Sequence, residues 1–176
     1  MATSFVPVTT AADQEKLAAM AHEIWNEYWP PRIGQAQVDY MVKNFQSLEA
    51  IRRDMSEHSY DYWFIFVDDS ATSHEKRLVG YTGGHPEPET NRYFISKIYL
   101  LQDERGHGIA KDVIRFYDDT AISRGFARTY LTVNKYNDGA IRSYLRNGFE
   151  IIDSVETDIG NGFIMDDYIM EHICTR

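Results

Sequence analysis

The residues whose types and spacing can do chemistry concentrate in two stretches. In FISKIYLLQDERGHGIAK, Phe94 to Lys111, Ile95, Ile98, Leu100 and Leu101 have the content of a buried strand, and Asp103-Glu104-Arg105 breaks it. Gly106 and Gly108 then permit backbone conformations closed to other residues and leave nothing projecting where a ligand would approach. From Ile109 the apolar positions Ile109, Val113, Phe116, Tyr117 and Ala121 recur at helical spacing, which places the glycines at a helix N-terminus. Orphan N–H groups and the positive end of the helix dipole suit that point to an anion such as phosphate. Two phosphate loops fail the test of spacing. G-x-x-x-x-G-K-[ST] is absent, and G-x-G-x-x-G has Lys111 where its third glycine belongs.

The second stretch is the far end of the first helix-patterned segment, with His22, Glu23, Trp25, Glu27, Tyr28 and Trp29 ahead of Pro30-Pro31. Rings and carboxylates both favour positive charge, so this end could line a site for an organic cation. Packing of Trp25 into the core is the competing reading. No His, Cys or carboxylate spacing matches a zinc or calcium site, so no metal is expected, and His22 and His85 are not read as ligands.

The elements that must position these residues follow from punctuation and period. Phe5 to Val8 reads as a short strand whose Pro7 suits a sheet edge, and Thr10 to Asp13 as a capping box opening a helix that runs out at Trp29. The pattern stays helical from Ile33 to His58, with Ser47 as an internal cap. Tyr60 to Asp68 is aromatic and β-branched like a central strand; after a polar turn over 69–77, Leu78 to Thr82 forms its hairpin partner. Gly83-Gly84-His85-Pro86-Glu87-Pro88 is expected to be an irregular loop bordering the site. The helix after Gly108 ends at Arg124-Gly125, and Thr129 to Val133 is a buried strand, which implies a βαβ unit with parallel pairing. Asn137 caps a short helix, and Phe149 to Val155 and Phe163 to Ile173 close the chain as two strands around a turn at 158–162. The fold class is therefore α+β around a mixed sheet.

Composition sets outer bounds. A chain of 176 residues is most simply one domain. Cys174 is the single cysteine, so no intrachain disulfide forms and a reducing, cytoplasmic compartment is expected. Trp63 to Val67 is the longest apolar run, far short of the roughly 20 residues of a membrane span, and no signal peptide is visible. With 27 acidic against 18 basic residues the formal net charge is −9, which disfavours nucleic acid and anionic membranes and modestly favours cationic ligands.

A third turn pattern does fit. Arg105, Gly108 and Ala110 meet [RQ]-x-x-G-x-[GA] directly after a strand, and Asn137, Ala140, Tyr144, Gly148 and Phe149 meet N-x-x-A-x-x-x-Y-x-x-x-G-F. On these two motifs and the element order, residues 78 to 173 resemble the GNAT superfamily of acyl-CoA N-acyltransferases. The resemblance implies a single GNAT-like domain over 1–176. Its sheet would have about seven mostly antiparallel strands, helices on both faces, and a splay in the middle for acetyl-CoA.

The resemblance also implies roles. The main chain of Ile98, Tyr99 and Leu100 would pair with the pantetheine arm. The turn Arg105, Gly106, His107, Gly108, Ile109, Ala110 and Lys111 would hold the pyrophosphate, and Asn137 would hydrogen-bond the pantetheine. Tyr144 would be the general acid for the departing thiolate, a mildly uphill transfer between groups of pKa about 10 and about 8.5. Acetyl-CoA would be co-substrate and a small primary amine the acceptor, with Trp25, Glu27, Tyr28, Trp29 and His85 as candidate acceptor residues. IYL with RGHGIA, and the ending MDDYIME, look most like the bacterial spermidine/spermine acetyltransferase branch. An amino-acid, antibiotic or peptide amine, or a non-catalytic acyl-CoA-binding regulator, satisfies the same features, and a homodimer is left open.

An amine of pKa near 10.4 is only about 1 part in 2,500 neutral at pH 7, so deprotonation costs about 4.6 kcal/mol and a base or water chain must supply it. Glu23, Glu27, His85 and Asp167 are the candidates. The family often places a glutamate near the positions of Ser96 or Lys97, and this chain departs from that pattern.

Overall fold

Residues 2–68 and 76–175 are described by a computed structural model of the chain. The turn expected over 69–77 lies outside the described residues for 69–75; Lys76 and Arg77 already belong to a strand.

The element order is β1 (Ala2–Pro7), α1 (Ala11–Tyr28), α2 (Pro30–Ile33), α3 (Gln35–Met41), a π-helical turn (Val42–Gln46), α4 (Leu48–Glu57), β2 (Asp61–Asp68), β3 (Lys76–Glu87) and β4 (Arg92–Leu100). A 3-10 turn (Gln102–Glu104), α5 (Ile109–Ser123), β5 (Arg128–Asn134), α6 (Asp138–Arg146), β6 (Glu150–Gly160) and β7 (Phe163–Ile173) follow. The seven strands lie in the order β1-β2-β3-β4-β5-β7-β6 and are flanked by helices. β1–β2, β2–β3, β5–β7 and β6–β7 are antiparallel; β4–β5 is parallel. This is the expected mixed α+β sheet. The β4–β5 ladder pairs Tyr93 with Thr129 and Phe94 with Tyr130, at the start of both strands.

The chain forms two compact units, Met1–Gly84 with Lys97–Ile109 and His85–Ser96 with Ala110–Arg176. In the first, Val8, Leu17, Ala21, Ile24, Ile51, Tyr62, Phe64 and Tyr81 form the core. α1 is opened by the capping box: Thr10 accepts from Asp13 N–H, and the Asp13 carboxylate takes the Thr10 N–H at 2.9 Å. Pro7 ends the edge strand, where no ladder donor is missed. The helical stretch after Ile33 is broken rather than continuous: Gly34 adopts φ +82, and Ser47 caps α4 by accepting from Ala50 N–H. In the second unit Tyr93, Val113, Tyr117, Leu131, Val133, Phe149 and Met170 are buried. α5 ends as expected at Gly125, whose φ of +87 lets Phe126 N–H reach back to the Ala121 carbonyl at 2.9 Å.

One expectation is overturned. Gly83 to Glu87 is not irregular but continues β3. Gly83 is there because a Cβ would lie 2.7 Å from the Tyr62 ring, a close cross-strand approach that only a tertiary neighbour could dictate. β6 likewise runs on to Gly160, and Asn161 and Gly162, both at positive φ, make the tight turn into β7.

Gly80 is the tightest point of the first unit, since a Cβ would sit 2.2 Å from the Tyr99 carbonyl oxygen. Gly80→Ala is expected to lower the unfolding free energy by about 1–3 kcal/mol through forced separation of β3 and β4. Gly139→Ala, which meets nothing within 4 Å among the described residues, is expected to be neutral or to stabilise α6 by up to about 1 kcal/mol. Urea denaturation of both variants checks the contrast, and equal midpoints would refute it.

Candidate active site

In the first unit the turn after β4 has the conformation expected of it. Gly106 and Gly108 stand at φ +84 and +85, exposed, immediately before Ile109 opens α5. Arg105 holds the approach to this turn: its Nε donates to the Leu100 carbonyl at 3.0 Å, closing the strand end onto the turn. Its two terminal nitrogens donate to the two carboxylate oxygens of Glu27, at 3.2 and 2.5 Å. The guanidinium carbon lies 4.6 Å from the Tyr28 ring centre. The structure thus brings together Glu27 and Tyr28, expected at the acceptor, with Arg105, expected at the coenzyme.

The aromatic end of α1 is more deeply packed than a recognition loop would be. Trp25 and Trp29 are 3% and 7% exposed. Their rings are 5.5 Å apart, Trp25 lies 5.6 Å from Tyr99, and Tyr99 lies 5.3 Å from Tyr81. His22, Glu23 and Glu27 are exposed and Tyr28 half-buried.

Lys97, on β4 where a base was sought, points elsewhere. It is buried, and its ammonium donates to Asp54 at 3.1 Å and to the Tyr62 hydroxyl at 2.5 Å, while Tyr62 donates to the same Asp54 oxygen at 2.9 Å. The rings of Tyr60 and Tyr62 lie 5.0 and 4.9 Å from the ammonium. Burial pushes the Lys97 pKa down, with Asp54 pulling against it, and burial pushes the Tyr62 phenol up. This closed triangle joins α4, β2 and β4, and its partners lie far apart in the chain, where no sequence period reveals them.

In the second unit Asn137 is the N-cap of α6, its side chain accepting from Ala140 N–H at 3.4 Å. Tyr144, on the same helix, is half-buried with its ring 5.7 Å from that of Phe149. The far end of α6 is held by His172. Its two ring nitrogens lie 3.2 Å from the Gly148 carbonyl and from Asp118, and the ring stacks on Phe149 at 5.1 Å. The Asp118 hydrogen bond leads the causes that raise the His172 pKa, because a doubly protonated ring can donate to both acceptors. His85 has Nδ1 3.2 Å from the Pro86 carbonyl and packs edge-on to Phe94. Burial, with Asp118 next to it, pushes the Cys174 thiol up to about 12.

Asp167 is the most perturbed carboxylate of the described residues. It lies on β7 opposite Asn134, the last residue of β5, and is 4% exposed. Its Oδ1 has no hydrogen-bond partner among the described residues. Burial first, and the neighbouring Asp166 second, push its pKa up to about 6 against the opposing charge of Lys135. Lys135 itself is tied to β7 by an ion pair with Asp166 and by its N–H to the Asp166 carbonyl at 3.1 Å.

The profile of the Acetyltransferase (GNAT) family matches residues 18–149. The chain belongs to this GNAT family. Its sequence is 34% identical over 87 residues to the uncharacterized N-acetyltransferase YycN of Bacillus subtilis, a match covering 48% of this chain and 53% of that protein. It is 28% identical over 148 residues to the uncharacterized N-acetyltransferase YjgM of Escherichia coli, covering 82% and 80%. Among solved structures, the PaiA N-acetyltransferase of Thermoplasma acidophilum in complex with coenzyme A superposes with a TM-score of 0.74 at 20% identity, covering 98% of this chain and 99% of that one. The GNAT fold is thereby shared over nearly the whole chain.

In this GNAT member the buried Asp167 has a stability signature. Its folded-state pKa lies above the ordinary carboxylate value of about 3.9, so the native state binds the extra proton between about pH 4 and 6. The stability this group contributes is complete below pH 4 and is lost as pH rises through about 6. Asp167→Asn is therefore expected to be more stable than the parent at pH 7, on the order of 1–2 kcal/mol, with the difference vanishing near pH 4. Thermal unfolding of both proteins from pH 4 to 8 measures this; a difference independent of pH would contradict it.

Proposed function

We propose that this chain transfers the acetyl group of acetyl-CoA directly to a primary amine of a small, cationic, polyamine-like acceptor. The observation that carries the coenzyme half is the exposed turn of two left-handed glycines opening α5, within a family of acetyltransferases. The short β4–β5 ladder supports it, since an extended arm could add to the strand edge like another strand. In this reading Ile98, Tyr99 and Leu100 bind the pantetheine, the residues from Arg105 to Lys111 the pyrophosphate, and Asn137 the pantetheine amide. That the Thermoplasma protein of the same fold was crystallised with coenzyme A supports the choice of coenzyme, not of these residues. The acceptor half rests on the exposed Glu23, beside His22 on α1, and more weakly on the net charge of −9. The reading includes a single transferase domain over 1–176 working in the cytoplasm. Among the described residues no helix is long and apolar enough to cross a membrane.

The amine nitrogen attacks the thioester carbonyl, the new C–N bond forms, and the C–S bond breaks. Tyr144 gives its phenolic proton to the departing sulfur and regains one from solvent. The amine proton passes to Asp167, directly or through water. Of the four candidate bases, Asp167 is the one whose pKa is lifted toward neutrality and whose Oδ1 is unclaimed among the described residues.

Thiol release from acetyl-CoA is followed with spermidine, amino acids and other amines. Turnover highest with polyamines is expected. Coenzyme binding without turnover on any amine would instead favour a regulator. Tyr144→Phe is expected to lower kcat by about 10²-fold or more with KM for acetyl-CoA little changed, and unchanged turnover between pH 7 and 9 would remove it as general acid.

A further inference from the structure

Glu27 stands where two demands meet. Its position on an acidic, aromatic helix end points to the cationic acceptor, yet both its oxygens are engaged by Arg105. The turn beyond Arg105 has little to order it. Gly106, His107 and Gly108 are exposed, and neither glycine has a neighbour within 4 Å of a would-be Cβ among the described residues. Glycines carry the largest conformational freedom to lose, so a phosphate binding there would have to order the loop as it binds. The buried Glu104, ion-paired with Arg77, anchors the residue before Arg105, and the Arg105 side chain is the anchor next to the glycines. Nε fixes it to the end of β4, the fork fixes it to α1, and Tyr28 covers its face.

We propose that Glu27 is a positioning residue for the coenzyme turn rather than an acceptor ligand: it acts through Arg105 to preorganise the 105–108 backbone for the pyrophosphate. This inference rests on the acetyl-CoA reading above. Side-chain exposures of 28% for Arg105 and 34% for Glu27 leave the pair reachable from solvent while the fork and the ring hold its geometry. Because the pair is partly exposed, its loss leaves the global fold intact and acts on local order.

The test is calorimetric titration of the full chain with coenzyme A, alongside steady-state kinetics, for the parent, Glu27→Gln, Arg105→Lys and the double variant. Glu27→Gln is expected to weaken coenzyme A binding and raise KM for acetyl-CoA about 5- to 20-fold, with kcat and the amine KM within about twofold. Arg105→Lys loses the fork and should match it, and the double variant should be no worse than either single one. Glu27→Asp, too short to span the fork, gives the same result if Glu27→Gln fails to fold. A raised amine KM with unchanged coenzyme A affinity would overturn the proposal and return Glu27 to the acceptor. Additive losses in the double variant would also overturn it. A parent chain that does not bind coenzyme A at all would refute the functional reading itself.

Discussion

The turn between β4 and α5 is the constraint on which the rest depends. Parallel β4 and β5 require a crossover, and the crossover must leave the strand, reverse, and enter a helix within the eight residues from Leu101 to Gly108. Two positive-φ glycines make that geometry accessible and also leave the helix N-terminus bare. A turn so free of side chains cannot hold itself. The work falls to Arg105, to the buried Glu104 with its ion-pair partner Arg77, and to Leu101, whose N–H donates to the Val79 carbonyl at 2.9 Å. Gly80 next door lets β3 approach β4 closely enough for that bond.

The acidic excess takes on a different meaning once its partners are known. Asp54, Glu27, Asp166 and Glu171 each hold a cation of the chain itself: Lys97, Arg105, Lys135, and Arg92 with Arg128. Those carboxylates tie elements together, and the surplus of nine negative charges is carried by others, among them the exposed Glu150, Asp153, Glu156 and Asp158 of β6. Charge on that strand protects a sheet edge from adding a foreign strand. Net charge therefore argues only weakly for a cationic substrate.

Local signals were legible and tertiary ones were not. The Thr10 box, the Ser47 and Asn137 caps, Gly125 after α5 and the hairpin turn before β7 are each set by residues within a few positions, and each stands where sequence placed it. Gly83 was misread as loop because the reason for it is the ring of Tyr62, twenty-one residues away in the sequence. The Lys97–Asp54–Tyr62 triangle and the Glu27–Arg105 fork were invisible for the same reason. The motif residues Arg105, Gly108, Asn137 and Tyr144 were readable as types at a spacing, but what their side chains touch was not.

Sequence showed a departure, with Ser96 and Lys97 where the family often has a glutamate, and structure explains why Lys97 does not replace it. Its ammonium is held between a carboxylate, a hydroxyl and two ring faces, a set of contacts that leaves it a structural cation. With no carboxylate at Ser96 or Lys97, the proposed transfer must pass its amine proton to another group. The buried Asp167, whose Oδ1 has no hydrogen-bond partner among the described residues and whose pKa is raised by burial, is the group proposed to receive it. Asp118 also has an oxygen with no hydrogen-bond partner among the described residues, but its other oxygen receives His172 and the N–H and hydroxyl of Thr175, so that carboxylate holds α5 to β7 and to the residues after it. Its shared partners mark Asp118 as a structural carboxylate, whereas the burial and raised pKa of Asp167 are what support the proposed role of that group as base.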